Sequence, residues 1–462
     1  MIRRGRRFHG SFLLATALVA LAWVPAAAQT FNSGSTGADG AFNPMTNTTL
    51  TLPPTGVFNF MTITIPSGVT VTFAKNAANT PAILLATGNV TISGTISATG
   101  GAGGPLGRPG SGGPGGFDGG AGGDGVTTAT GGAGLGPGGG LPGINCGGTS
   151  GSYGTQGTAA TNPNPSCIPP GTPGPTYGTT LLRPILGGSG GSGGSAGGVP
   201  GGAGGAGGGG GGALVIASSG TIALNSGSQL LADGGPASSG SNFWGAGGSG
   251  GAIRLIATTI AGAGALYARG GGGGSYTGAG GLGRIRLEAY TMTFSGTRTP
   301  EATQGLPQPV FPSSGQPRLT IASVGGIAAP ATPSGSFLAA PDILLPTGTT
   351  NPVEVVLTAS NIPLGTVIQV TATPQTGSKA TANSTGLAGT LASSTATASL
   401  TLSLSQTSVL TATATFPLVA SAGEGPLYVE GEEVTHMRVA AVLGGGSTLT
   451  YITRSGREIQ VQ

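Results

Sequence analysis

Residues 251–274 read GAIRLIATTIAGAGALYARGGGGG. An apolar burst is followed by a small-residue break, a second burst and a run of glycine. The bursts are short and rich in Ile, Leu and Thr, which favours strands over helices. Three other stretches can be laid over this one: PAILLATGNVTISGTISATGG (81–101), ALVIASSGTIALNSGSQLLADGG (213–235) and RIRLEAYTMTFSG (284–296). Such a unit cannot bury its own apolar edge, so successive units must stack and cover one another. The pattern predicts an all-β chain whose residues 29–296 form a parallel β-helix, with three short strands per coil and Ile256 in the interior. TLTLPPTGVFNF (49–60) and MTITIPSGVTVTF (61–73) read as opening coils. Period-two alternation turns Ile63, Ile65, Val69, Val71 and Phe73 inward and the threonines outward.

Glycine enters at one recurring point, after the third strand, and gives insertions at 102–211, 236–250 and 272–282. Insertions at equivalent places of stacked coils emerge from one face. In the first, glycine occupies 101, 104, 107, 110, 113, 116, 119, 122 and 125, and GGSGGSGGS (187–195) keeps the same period. A period of three belongs to the polyproline II helix, which predicts packed polyglycine-II-like rods. The competing reading is a set of flexible Gly/Ser linkers. Too little proline is present for a collagen-like triple helix.

The composition agrees with a solenoid of small residues. Of 462 residues, 97 are glycine and 34 proline, and charged residues make up 6%, against about 25% in ordinary globular chains. Mean hydropathy is +0.22, so the polar, highly charged signature of disorder is missing. Arg3, Arg4, Arg6 and Arg7 precede an apolar run from Phe12 to Val24 and an A-x-A site ending at Ala28. This predicts a signal peptide over 1–28 with cleavage between Ala28 and Gln29; a twin-arginine variant would use Arg6-Arg7, although His9 breaks its pattern. Without those arginines, thirteen basic residues face thirteen acidic ones. The mature chain is then neutral, which argues against nucleic acid as a partner. No membrane span is expected in it. An exported chain meets an oxidising compartment, so Cys146 and Cys167 are expected to form a disulfide, the alternatives being free thiols or a metal site.

Residues 297–317 (TRTPEATQGLPQPVFPSSGQP) read as a linker. Sustained alternation in PVEVVLTASNIPLGTVIQVTATP and TASLTLSLSQTSVLTATATFPL predicts an antiparallel β-sandwich over 318–418, similar in pattern to bacterial immunoglobulin-like modules. The tail, 419–462, reads as an appended β-hairpin.

The order TITIPSGVTVTF, PAILLATGNVTISGTISATGG, Gly-rich loops and GGSGGAIRLIA resembles bacterial secreted right-handed β-helix proteins of the pectin-lyase-like class. That resemblance covers about residues 30–296. It implies an extracellular or cell-surface location and either an adhesin-like role or a polysaccharide lyase activity, since one fold hosts both.

Candidate chemistry is sparse. His436 is the one histidine outside the signal segment, and it falls in the terminal hairpin. Carbohydrate-active β-helices need clustered carboxylates or an acid–cation constellation; the solenoid offers Asp233, Arg254, Arg269, Arg284, Arg286 and Glu288. In-register coils would put Arg254 directly beside Arg286 on an outward face. Such a pair would either bind an acidic carbohydrate or be neutralised by Glu288. GGAGGDGVT (119–127) matches a calcium-binding nonapeptide once, with Asp124 as ligand and Val126 as core residue; no other cofactor is expected. Repeated TxT patterns (TLTL, TITI, TVTF) suggest either plain β-propensity or a flat ice-binding face. The expected function is that of an exported non-enzymatic structural or adhesive protein of the cell surface or extracellular matrix. Its partners would be glycans, extracellular polysaccharide or like copies of itself. The alternatives are a carbohydrate-active β-helix enzyme and an ice- or surface-binding protein.

Overall fold

Leu84, Ile216, Leu255 and Leu287, one from each of the four similar segments, stand side by side on neighbouring parallel strands. They are seen in a computed structural model that describes residues 29–125, 130–160, 166–196, 202–241, 243–311, 316–417, 428–429, 432–441 and 447–460. The expected signal peptide, with Ala28, and Val126 of the nonapeptide lie outside the described residues; Gln29 is exposed.

The chain is almost entirely β, with one short 3-10 turn at Pro105–Gly107 among the described residues. Strands Ala213–Leu224, Ala252–Gly262 and Arg284–Phe294 form the middle of a nine-stranded sheet that also holds Thr62–Ile65, Ala82–Ala86 and Val90–Ile92. A second sheet of six strands runs in chain order through Thr48–Thr51, Thr70–Ala74, Thr95–Ser97, Gln229–Leu231, Ala265–Tyr267 and Thr297–Thr299. The pairings between these strands are parallel.

Ile63, Ile65, Val69 and Val71 are buried in one apolar core, Phe73 packs against it, and Ile96, Leu230 and Leu266 form a matching ladder on the second sheet. Side chains alternate across a strand, so each segment contributes one face to this core and one to whatever covers the sheet outside. Ile256 belongs to the outer set. It is fully buried, but with Phe31, Leu85, Val215 and Ala217 on the opposite face from Ile253 and Leu255. The parity of the strand, odd positions inward from Ile253 to Ala257, decides this and corrects the sequence reading. Residues 297–305, read as linker from their composition, also prove to be structured. Thr297–Thr299 pairs with Ala265–Tyr267, and Thr303–Gly305 pairs with Arg284–Phe294, adding one rung to each sheet.

The glycine-rich insertions form a packed bundle of rods beside the two sheets. The rod at 187–195 shows the logic. Gly188, Gly191 and Gly194 donate backbone hydrogen bonds to Gly211, Gly208 and Gly205, while Gly190 and Gly193 donate to Leu135 and Gly132. Ser192 and Ser195 donate to Thr149 and Cys146, and Phe117, Gly120 and Gly123 donate into the carbonyls of Gly188, Gly191 and Gly194. Each neighbour is therefore met every third residue, the repeat of a polyproline II rod. The glycines are demanded by this packing rather than by special φ values. A Cβ on Gly193 would run into the carbonyl of Ala121, one on Gly191 into that of Ala246, and one on Gly207 into that of Gly191. Cys146 and Cys167 form a disulfide with Cα atoms 5.0 Å apart.

The remaining strands, from Arg318–Val324 onward, make a twelve-stranded, largely antiparallel sheet with its own apolar core. It curls so that its first strand meets Ser447–Thr453: the Leu319 amide donates to Ser447 Oγ at 2.8 Å, and that hydroxyl donates back to the Leu319 carbonyl at 3.1 Å. The tail is no separate hairpin. Glu432–Ala441 pairs with both Ser408–Pro417 and Ser447–Thr453, and Val439 and Leu449 are buried in the shared core. Its apolar residues complete the larger sheet, a long-range pairing that the tail's own pattern does not state.

Candidate functional site

Arg254 and Arg286 are direct register partners on adjacent strands, and Glu288 lies two residues beyond Arg286 on the same outer face. Arg254 donates from Nε to Glu288 Oε1 at 3.2 Å and from Nη2 to Oε2 at 3.0 Å; Arg286 Nε donates to Oε1 at 3.1 Å. The outward face predicted for this pair is not solvent-exposed. Arg254 is 1% exposed, Arg286 8% and Glu288 0%, because the segment after Thr303–Gly305 lies over them. Its backbone completes the cluster. The Gln308 amide donates to Glu288 Oε2 at 2.9 Å, Arg254 Nη2 donates to the Pro309 carbonyl at 3.3 Å, and Arg286 Nη1 donates to the Gln304 carbonyl at 3.0 Å.

Burial holds the Arg254 pKa below the usual guanidinium range, against the opposing pull of Glu288. Two guanidiniums thus share one carboxylate, and backbone carbonyls accept from Arg254 Nη2 and Arg286 Nη1, in keeping with what a buried charge group requires. The space beside Arg254 is a cavity of about 30 Å³ lined by Ile83, Leu182, Pro184 and Val310, too small for a sugar. The cluster acts as a clamp that fastens the 303–310 segment to the sheet.

The other candidates do not join it. Asp233 pairs with Arg269 at 2.6 Å, and the Arg269 guanidinium stacks over Tyr267 at 4.2 Å. Arg284 donates to the Tyr177 carbonyl at 3.1 Å and lies 5.6 Å from the Tyr153 ring. His436 is exposed and hydrogen-bonds the adjacent Thr435 hydroxyl. Asp124 ends a glycine rod, and among the described residues no group of three or more His, Cys, Asp or Glu is placed to hold a metal ion. The nonapeptide glycines have another explanation: Gly119, Gly120 and Gly122 each press a neighbouring rod where a Cβ would clash.

Asp118 went unnoticed in the sequence. It is buried, accepts from the Gly112 amide at 2.8 Å, lies 3.5 Å from Lys75 Nζ and accepts a short bond from the Ser336 hydroxyl. It thereby ties the bundle, the parallel sheets and the C-terminal sheet together. An aspartate in a Gly-Phe-Asp-Gly context carries no signal of that role. The TxT motifs separate. TITI lies on the nine-stranded sheet, whereas TLTL and TVTF lie on the six-stranded one, where Thr49 and Thr72 hydrogen-bond at 2.9 Å. No helix among the described residues is long and apolar enough to cross a membrane. Searches of protein-family models, curated proteins and solved structures found no match to this chain.

Proposed function

We propose that this is an exported, non-catalytic structural or adhesive protein of the cell surface or extracellular matrix. Its scaffold is a right-handed parallel β-helix of the pectin-lyase-like kind, followed by an immunoglobulin-like β-sandwich. The observation that carries this reading is the interlocked glycine bundle. Its rods bond to one another through their backbones, and their glycines leave no space for side chains. Such a body is stiff and nearly uncharged. The repeated passage of the chain between two in-register parallel sheets supports the β-helix. The basic–apolar–small pattern of residues 1–28 and the disulfide support export.

A carbohydrate-active enzyme is less well supported, because its best charged constellation is a buried clamp saturated by its own partners. Surface labelling of intact host cells, together with attachment assays on a deletion strain, tests the proposal. The protein should be labelled from outside, and its loss should weaken attachment or matrix cohesion. A cytoplasmic location would refute the proposal, as would release of unsaturated or reducing ends from uronate polymers by the purified chain.

A further inference from the structure

The nine-stranded sheet has an outer face that the clamp segment does not cover. Register places Thr62, Asn89, Thr221, Thr259 and Thr291 in one column across five strands. Thr64, Thr91, Ala223, Ala261 and Thr293 form the column beside it. All ten positions are exposed or half-buried. Between the columns, Ile63, Val90, Ile222 and Ile260 point into the core and fix the strands beneath.

In-register parallel pairing sets a grid of about 4.8 Å across strands and about 6.6 Å along them. The threonine hydroxyls of this grid make no hydrogen bond to another protein group among the described residues; the one side-chain bond inside it is Asn89 Oδ1 accepting from the Thr221 amide at 2.9 Å. β-Branched threonine has few rotamers, so each hydroxyl and methyl repeats in nearly the same direction.

Charge decides what such a face fits. None of the ten positions is ionisable, so an anionic glycan or lipid headgroup finds nothing to pair with. None is aromatic, so the face lacks the stacking plates that take the apolar faces of sugar rings. The complement is a neutral solid that donates and accepts hydrogen bonds at a fixed lateral repeat. We propose that this two-column threonine face binds the ordered water lattice of ice. The corresponding face of the six-stranded sheet is broken by Gln229, Leu231 and Tyr267, which makes it the internal control. This inference stands on the sheet face alone and is independent of the adhesive reading.

The test uses the purified mature chain. Thermal hysteresis and ice-crystal shaping are measured for the wild type, for Thr259→Lys at the centre of the grid, and for Gln229→Lys on the control sheet. The wild type should shape ice and show hysteresis, Thr259→Lys should lose both, and Gln229→Lys should keep both. Absence of hysteresis in the folded wild type overturns the proposal, as does full hysteresis in Thr259→Lys. If Thr259→Lys loses its folded circular-dichroism spectrum, Thr293→Lys on the exposed terminal rung replaces it with the same two outcomes. Co-sedimentation of the wild type with microcrystalline cellulose, without any effect on ice, also overturns it and assigns the face to crystalline polysaccharide.

Discussion

Replacing Gly193 by alanine adds one methyl group to the centre of the glycine bundle. Its carbon would fall on the carbonyl of Ala121, a backbone atom in a neighbouring rod that cannot rotate away. The rods at 117–123 and 188–194 must then part. Three backbone bonds hold that seam, from Phe117 to Gly188, Gly120 to Gly191 and Gly123 to Gly194, at 3.0, 2.8 and 2.9 Å. At about 1 kcal/mol net for each bond, losing the seam costs about 3 kcal/mol. That agrees with the 1–3 kcal/mol typical of one methylene too many in a packed interior. Gly272→Ala is the matched control, because a Cβ there meets nothing within 4 Å and φ lies outside the left-handed region. It should be neutral or slightly stabilising, since alanine restricts the unfolded chain. Urea unfolding followed by Trp244, which lies beside the bundle at Gly274, measures the difference. Hydrogen exchange at the Gly120 and Gly123 amides localises it. Equal midpoints for the two variants, with those amides still protected in Gly193→Ala, would refute the account of glycine as a steric requirement.

Three further outcomes follow from other parts of the molecule. Glu288→Ala leaves Arg254 and Arg286 buried without their carboxylate and should destabilise the nine-stranded sheet by about 3–5 kcal/mol; limited proteolysis should then cut first near 303–311, where the clamp releases. The buried Tyr153 hydroxyl has no hydrogen-bond partner among the described residues, so Tyr153→Phe should raise the melting temperature through a gain of about 1 kcal/mol. Burial also raises the Tyr153 and Tyr177 phenols above their ordinary value of 10.0. The native state therefore keeps protons that the unfolded chain gives up, so stability should fall as pH rises beyond about 10, less steeply in Tyr153→Phe. Cys146→Ser opens a 21-residue loop and should cost about 3 kcal/mol, read as a lower denaturation midpoint that reducing agent reproduces in the wild type and leaves unchanged in the variant.

The repeating segments were legible because their signal is local: alternation in ALVIASS and AIRLIAT states which residues share a face, and a run of glycine states where each unit ends. What local pattern could not supply was which face the rest of the chain would cover. Ile256 and Arg254 occupy even positions of one strand, and nothing near them shows that Phe31, Ile185 and Val310 close over that side. Composition misled in the same way at 297–305. Threonine and proline there read as linker, yet the strands Ala265–Tyr267 and Arg284–Phe294 left edges that these residues could pair with. The disulfide is expected from two cysteines and a predicted export, and the two cysteines are joined.

The threonine face illustrates why a surface built by stacking resists sequence reading. Thr62 is separated from Thr221, Thr259 and Thr291 by the whole first glycine insertion, and no window that contains it implies those neighbours. TLTL and TVTF carry the same motif as TITI, yet they lie on the sheet whose columns are interrupted. The bundle runs the other way, since its period of three is plain in the sequence and its consequence is physical. A rod whose neighbours sit against its backbone can lend stiffness but offers few side chains for recognition. Under the proposed adhesive role, recognition would therefore come from the faces of the parallel sheets or from the C-terminal sheet. The glycines explain how those faces are held rigid, and the threonine grid is where rigidity becomes a chemical property, because a lattice of hydroxyls matches another lattice only if its spacing does not fluctuate.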